Sequence, residues 1–360
     1  MQKNKVVQAL RGIAALAVVI FHASALLAGL SDEARRTYYV PLAFAGVDLF
    51  FLISGYIIAS SVTRFGSGLR ASGDFIVKRL IRIWPPYAIA TALFCLAFFL
   101  KNGDGPTVWE ITQSLLFIQF DNTPSQYGFA ALVVGWTLNY EMFFYVLMAA
   151  GLLVRHRWAF ILSAFAILLL AVPLWQQPDL SFIQLLNAER LQANAWVFTN
   201  PLCWLFLVGA AFHFVERKQV TVSNGYVLSA VAVLAFAFFM ACYLSPAMSR
   251  HGLTGMGLAV VPLFAAAILS RSVIEKFVPM PLVYLGDISY ATYLTHVIML
   301  SVVKAALASI LGEGFALMLV SIAVSVVVGA LYYSIIERPI SAVLTSLLNK
   351  RRSRPARAAV

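Results

Sequence analysis

The chain has 360 residues, of which 61% are hydrophobic and 11% charged. Soluble domains carry about 25% charged residues, so this composition excludes a water-facing exterior and describes a chain that crosses a membrane many times. The formal net charge of +11 would suit nucleic acid, but the positions of the charges exclude that reading.

Ten apolar runs follow one another, at 6–28, 42–63, 83–100, 130–153, 158–174, 197–215, 224–244, 254–270, 285–309 and 315–336. Each is near the ~20 residues that a helix needs to cross a bilayer. The stretch Trp109 to Phe120 is apolar but too short, and is expected at the interface or folded back. With the N-terminus in the cytoplasm, 19 of the 26 Lys and Arg fall on the cytoplasmic side and five on the other. Arg11 and Lys304 lie within spans. That bias is the positive-inside pattern. The expected fold is an all-α polytopic bundle of about ten transmembrane helices with both termini cytoplasmic. An integral-membrane domain covers 1–340, and a basic tail, 341–360, faces anionic lipid.

A competing reading takes Lys3, Lys5 and the small residues Ala23-Ser24-Ala25 as a cleaved signal peptide. Arg11 would interrupt its apolar region, and nine remaining spans would put the basic tail outside, so an intact first span is expected. No internal repeat of the kind found in repeat-built transporters stands out. Cys95, Cys203 and Cys242 all fall in apolar runs and read as packing residues.

Polar residues inside these runs carry the functional signal, because buried charge in a membrane faces a bundle interior or a cavity. In LRGIAALAVVIFHA, Arg11 and His22 are eleven residues apart. They share a helix face and stand roughly 16 Å apart along it. In GVDLFFLISGYII, Asp48 is expected at the depth of His22, where a carboxylate orients an imidazole; a merely solvated interfacial Asp is the plainer reading. Ser54 and Gly55 suit close helix packing. In KRLIRIWPPY, Arg79 and Arg82 share a face and suit phosphate, although orientation alone calls for basic residues there. Pro85-Pro86 is expected to set a rigid start to the third span. In WTLNYEMFFY, Glu141 lies deep, with Tyr145 one turn on and Asn139 just before it. In LGDISYATYLTH, Asp287 reads as a helix N-cap, and Tyr293 and His296 share a face. His156, His213 and His251 lie in or near loops and call for no special role; Lys304 is expected to reach outward.

Taken together these segments resemble the acyltransferase-3 family of membrane O-acyltransferases. The matches are Arg11–ten residues–His22, GVDLFFLISGY, KRLIRIWPPY, WTLNYE, ISYATYLTH and the closing Glu337-Arg338-Pro339. The start and compact size look most like the subgroup that acetylates bacterial exopolysaccharides. Met142, where a second acid often follows the glutamate, and Thr295, where a tryptophan often precedes the late histidine, depart from the pattern. Both bear on the acceptor more than on the reaction.

The resemblance implies a multi-pass protein of the bacterial inner membrane with no permanently bound cofactor. Acyl-CoA, usually acetyl-CoA, is the donor substrate; a polysaccharide or lipid-linked glycan accepts the acyl group at the outer face; membrane lipids surround the chain. Arg11, Arg79 and Arg82 would hold the CoA phosphates. Neutral His22 would act as general base, with Asp48 or Glu141 stabilising the imidazolium. Tyr145, Asn139, Tyr293 and His296 would support the substrates. No metal is implied. A transporter or lipid flippase with a polar path is the alternative of another class.

Overall fold

A computed structural model describes residues 4–118, 130–187, 197–218 and 225–353. Its first half contains α1 (Lys5–Ala23), α2 (Asp32–Tyr38), α3 (Val40–Val62), α4 (Leu69–Asn102), α5 (Val108–Leu115), α6 (Trp136–Leu152), α7 (Arg157–Ala166), α8 (Val172–Gln176) and α9 (Phe182–Leu185). The second half contains α10 (Cys203–Arg217), α11 (Gly225–Tyr243), α12 (Met256–Leu269), α13 (Arg271–Ile274), α14 (Met280–Asp287), α15 (Ser289–Leu311), α16 (Phe315–Tyr332) and α17 (Arg338–Ser353). No strand occurs among the described residues. Helices alone satisfy their own backbone groups in lipid, which is why apolar length translates into this architecture.

Each of the ten expected spans coincides with a helix. Eight helical stretches are long and apolar enough to cross a membrane, and the bent pair α12–α13, turned by 66°, makes up to nine. The remaining one, α10, has 15 residues, about 22 Å of helix against a hydrocarbon core of about 30 Å. The short segment after residue 108 forms α5, an eight-residue helix closed by a Thr107–Glu110 capping box; Gln119 and Phe120 lie outside the described residues.

The segment before Pro85 departs from expectation. It is helical from Leu69, so Arg79, Arg82 and both prolines lie inside one 34-residue helix, α4. Proline removes a backbone donor, and helices in lipid tolerate it where neighbouring helices bond the surrounding backbone. Around the two prolines Tyr290 donates to the Ile83 carbonyl at 2.9 Å and Tyr332 to that of Pro86. Gly68 at φ +104° and Gly103 at φ +79° bracket the helix, in the region that favours glycine.

Asp287 does not cap α15. It ends α14 and accepts a hydrogen bond from Gln8 at 2.7 Å, tying α14 to α1. Lys304 does reach outward, to Glu313 at 2.8 Å. Helices α3 and α10 approach through Gly55 and Gly209, where a Cβ would stand 2.0 Å from the facing carbonyl oxygen of Phe206 or Leu52. Such small-residue contacts let backbones pack where lipid provides no hydrophobic drive.

The last helices run almost without a break. A π-helical turn, Tyr333–Glu337, joins α16 to α17 and holds Glu337 buried. Asn4 and Gln8 from the chain's start line the same cavity as Arg338 and Ser341, so the two ends of the described chain meet at one end of the bundle, hereafter the Arg11 end. The basic tail beyond Ser353 lies outside the described residues.

Candidate active site

Helix α1 sets the axis of the site. Asn4 caps it by accepting from the Val7 amide, and it runs unbroken from Arg11 to His22, so the shared face read from the sequence holds. At the Arg11 end, α4 brings Arg79 and Arg82 beside Arg11, and α6 adds Glu141 and Tyr145. All five line one narrow cavity with about 90 Å³ of open space. Arg79 lies over the rings of Phe75 and Tyr145, at 5.4 and 5.5 Å, and Tyr145 donates a hydrogen bond to Glu141. This strut holds one guanidinium in place by cation–π contact and by a buried hydroxyl. Arg11 in turn donates to Gln8 at 3.3 Å.

The cavity continues along α3 past Phe50 and Ser54 to Thr137 and Tyr293. The Tyr293 hydroxyl donates to the Val134 carbonyl at 3.0 Å and lies 3.1 Å from the Thr137 hydroxyl. One turn on in α15, His296 packs its ring 5.9 Å from that of Tyr293. His296 Nε2 is 3.2 Å from His22 Nδ1. The cavity therefore ends one aromatic ring away from a pair of histidines.

Hydrogen-bond partners fix the protons of that pair. His296 Nδ1 faces the carbonyls of Tyr293 at 2.8 Å and Thr292 at 3.3 Å. Carbonyls only accept, so Nδ1 carries the proton and Nε2 is an acceptor. His22 Nδ1 then meets two acceptors, His296 Nε2 and the Val18 carbonyl at 3.0 Å, and carries its own proton. That leaves the lone pair on His22 Nε2, which makes no hydrogen bond among the described residues. His22 is half-buried while His296 is fully buried. The arrangement presents one accessible base, held by a second imidazole that is itself anchored to backbone.

Asp48 and Glu141 do not join this pair. Gly46 packs against Ala14 and Val18, so Asp48 lies about two helical turns deeper than His22. The depth estimate from sequence failed mainly because α1 ends at Ala23, five residues short of the expected span, which leaves His22 at the end of its helix; α3 also begins at Val40, two residues early, which puts Asp48 slightly deeper. Asp48 is fully buried and accepts from His251 Nδ1 at 2.7 Å and from the Gly252 amide at 2.9 Å. His251, read as a loop residue without a role, is buried between the rings of Phe44 and Trp136. Glu141 makes its hydrogen bond with Tyr145 and faces the arginines. Asn139 is buried, and its side-chain nitrogen has no partner among the described residues.

Two residues beyond the sequence reading stand at the Arg11 end. Glu337 was visible only as part of a motif, and His213 was read as a histidine in or near a loop, with no special role. Both are buried on the wall of a second, wider cavity. Among the described residues no cluster of three or more His, Cys, Asp or Glu could hold a metal ion, and the three cysteines are free.

The sequence profile of the family described as "Acyltransferase domain" matches residues 4–334. The Exopolysaccharide production protein ExoZ of Rhizobium meliloti (strain 1021) is 29% identical over 329 residues, covering 86% of this chain and 94% of that protein. Nodulation protein 10 of Rhizobium leguminosarum bv. viciae is 26% identical over 364 residues, covering 96% and 95%. A protein of Staphylococcus aureus (strain COL) whose name carries the term O-acetyltransferase is 22% identical over 323 residues, covering 82% of this chain and 50% of that protein. No solved structure matches.

Proposed function

We propose, from the premise that this chain belongs to the acyltransferase family and is a membrane O-acyltransferase, that it moves an acetyl group from acetyl-CoA to a glycan hydroxyl across the bilayer. The donor binds at the Arg11 end, which faces the cytoplasm of the bacterial inner membrane. The acceptor is a polysaccharide or lipid-linked glycan at the opposite face. One observation carries this reading: a narrow cavity joins the Arg11, Arg79 and Arg82 cluster to Tyr293, beside the His22–His296 pair. The 19-to-5 split of basic residues supports the orientation, and the name of the Rhizobium meliloti relative supports a polysaccharide acceptor.

Guanidiniums suit the phosphates of CoA because they offer paired, charge-assisted donors. The acyl-pantetheine arm then lies along the cavity towards Tyr293, which requires side chains to open the present narrow passage. His22 Nε2 takes the proton of the acceptor hydroxyl as its oxygen attacks the thioester carbonyl. The tetrahedral intermediate collapses by breaking the C–S bond, and the proton on His22 passes to the departing thiolate, giving CoA and the acetyl ester. His22 ends as it began. General base catalysis contributes about 10²–10⁴-fold; positioning of donor and acceptor supplies much of the rest.

Purified protein in lipid discs, given labelled acetyl-CoA and candidate glycans, tests the reading. Label should appear as alkali-labile ester on a glycan. Uptake of a solute or lipid without any acyl transfer would overturn it in favour of a transporter.

A further inference from the structure

Resting on the acyl-CoA reading, we propose that the wider cavity at the Arg11 end seats the nucleotide half of the donor, adenosine 3′,5′-bisphosphate, with His213 and Glu337 meeting its base and ribose.

This cavity has about 660 Å³ of open space, within the range of small-molecule sites, about 300–1,000 Å³. Its wall is built by α1, α3, α4, α10, α13, α14 and the π turn into α17. Four of its side chains bring buried polar atoms that have no partner among the described residues: Nδ2 of Asn4, both ring nitrogens of His213, Oε2 of Glu337 and Oγ of Ser341. His213 and Glu337 are each 7% exposed. A buried polar atom left unpaired costs about 1–3 kcal/mol, and such atoms in native proteins usually mark a missing partner. Their convergence on one cavity points to a ligand that supplies both donors and acceptors.

The other acids on the wall are engaged. Glu216 accepts from Arg271 at 2.9 Å and from Tyr56, and Asp287 accepts from Gln8. Arg82 and Arg338 form no salt bridge among the described residues. The chemistry on offer is therefore guanidinium for phosphate, imidazole for ring nitrogens, and carboxylate for an amino group or a ribose hydroxyl. A π turn such as the one carrying Glu337 is a frequent feature of functional sites.

A neighbouring cavity differs in kind. Arg64, Arg70, Lys78, Arg79 and Arg82 line it with a single acid, Asp74, and the hydroxyls of Ser61 and Ser67, and none of the buried polar atoms without a partner among the described residues lies on it. Arg11 and Arg82 line both the proposed seat and the narrow passage, so a nucleotide seated there hands its pantetheine arm to the path that leads towards His22. The neighbouring cavity meets the same passage at Arg79 and Arg82, so the unpartnered polar atoms, and not continuity, decide between the two.

Isothermal titration of the full chain with CoA and with adenosine 3′,5′-bisphosphate decides it. His213→Ala and Glu337→Gln should each weaken both ligands about tenfold, 1.4 kcal/mol, and Ser341→Ala should weaken them less. Arg70→Gln and Lys78→Gln should leave the bisphosphate affinity at the wild-type value. The loss of transfer from acetyl-CoA in the first two variants should exceed the loss from acetylpantetheine by about the same tenfold, a split that a general folding defect would not produce. Wild-type affinities in both His213→Ala and Glu337→Gln, or weakening by Arg70→Gln and Lys78→Gln instead, would overturn the seat while leaving the donor intact. A wild-type protein that binds neither CoA nor the bisphosphate would remove the acyl-CoA reading itself.

Discussion

Among the described residues three histidines have a side-chain hydrogen-bond partner, His22 and His296 with each other and His251 with Asp48, and the difference between those partners distinguishes the proposed base from an anchor. His251 is clamped by the carboxylate of Asp48, which also takes the Gly252 amide, and aromatic rings of Phe44 and Trp136 close over it. The pair sews the segment after α11 into the bundle. His22 is held by a neutral imidazole and a carbonyl, which orient it without a carboxylate and leave its second nitrogen accessible. The carboxylate partner anchors a loop; the imidazole partner leaves a free lone pair, which is the feature the proposed base requires.

The strongest way to break this contrast is His22→Ala. Transfer should fall about 10²–10⁴-fold, with CoA affinity and membrane insertion nearly unchanged. A variant with near-normal turnover would place the base elsewhere, and His251 would be the next candidate.

Asp48→Ala should act on the opposite property. It strands His251 Nδ1 and the Gly252 amide, at about 1–3 kcal/mol for each buried donor left unpaired. Thermal unfolding in detergent should show the loss, while turnover per folded molecule stays close to wild type. A stable Asp48→Ala protein without activity would make the Asp48–His251 pair part of the chemistry.

Arg82→Gln or Arg79→Gln sharpens the contrast by addressing the other end of the path. CoA binding should weaken by roughly 1.5–3 kcal/mol, the scale of a lost charge-assisted hydrogen bond, with the loss reduced at high salt. Turnover at saturating donor should hold. Affinity unchanged in both variants would confine these arginines to orienting the helix.

Gly55→Ala is the smallest change and a packing control. Its methyl group would meet the Phe206 carbonyl, and overpacking of this kind costs about 1–3 kcal/mol. Stability should fall without altering the ratio of binding to turnover. A selective loss of turnover would show that the α3–α10 contact shapes the cavity as well as the bundle.

Apolar length and helical periodicity belong to consecutive residues, so they were readable directly. The ten helical segments, the common face of Arg11 and His22, and the pairing of Arg79 with Arg82 on one face all follow from spacing within a single helix. The family motifs added residues whose chemistry is visible in their type. Glu141 with Tyr145 is the same case, since a hydrogen bond across one turn is local.

Partners across helices are a different matter, because they depend on relative depth and on which face meets which. Where α1 ends and where α3 begins decided that Asp48 would pass His22 and meet His251, whose own segment, SRHGLTG, reads as an ordinary polar loop. Extension of α4 back to Leu69 put Pro85-Pro86 inside a helix that they were expected to start, since paired prolines are compatible with both positions. The His22–His296 contact spans 274 residues, and the tautomer it enforces depends on carbonyls that no side-chain pattern records. Chain-distant packing sets these depths through close approaches such as Gly286 against Gln8 and Gly55 against Phe206, and only the assembled bundle contains them.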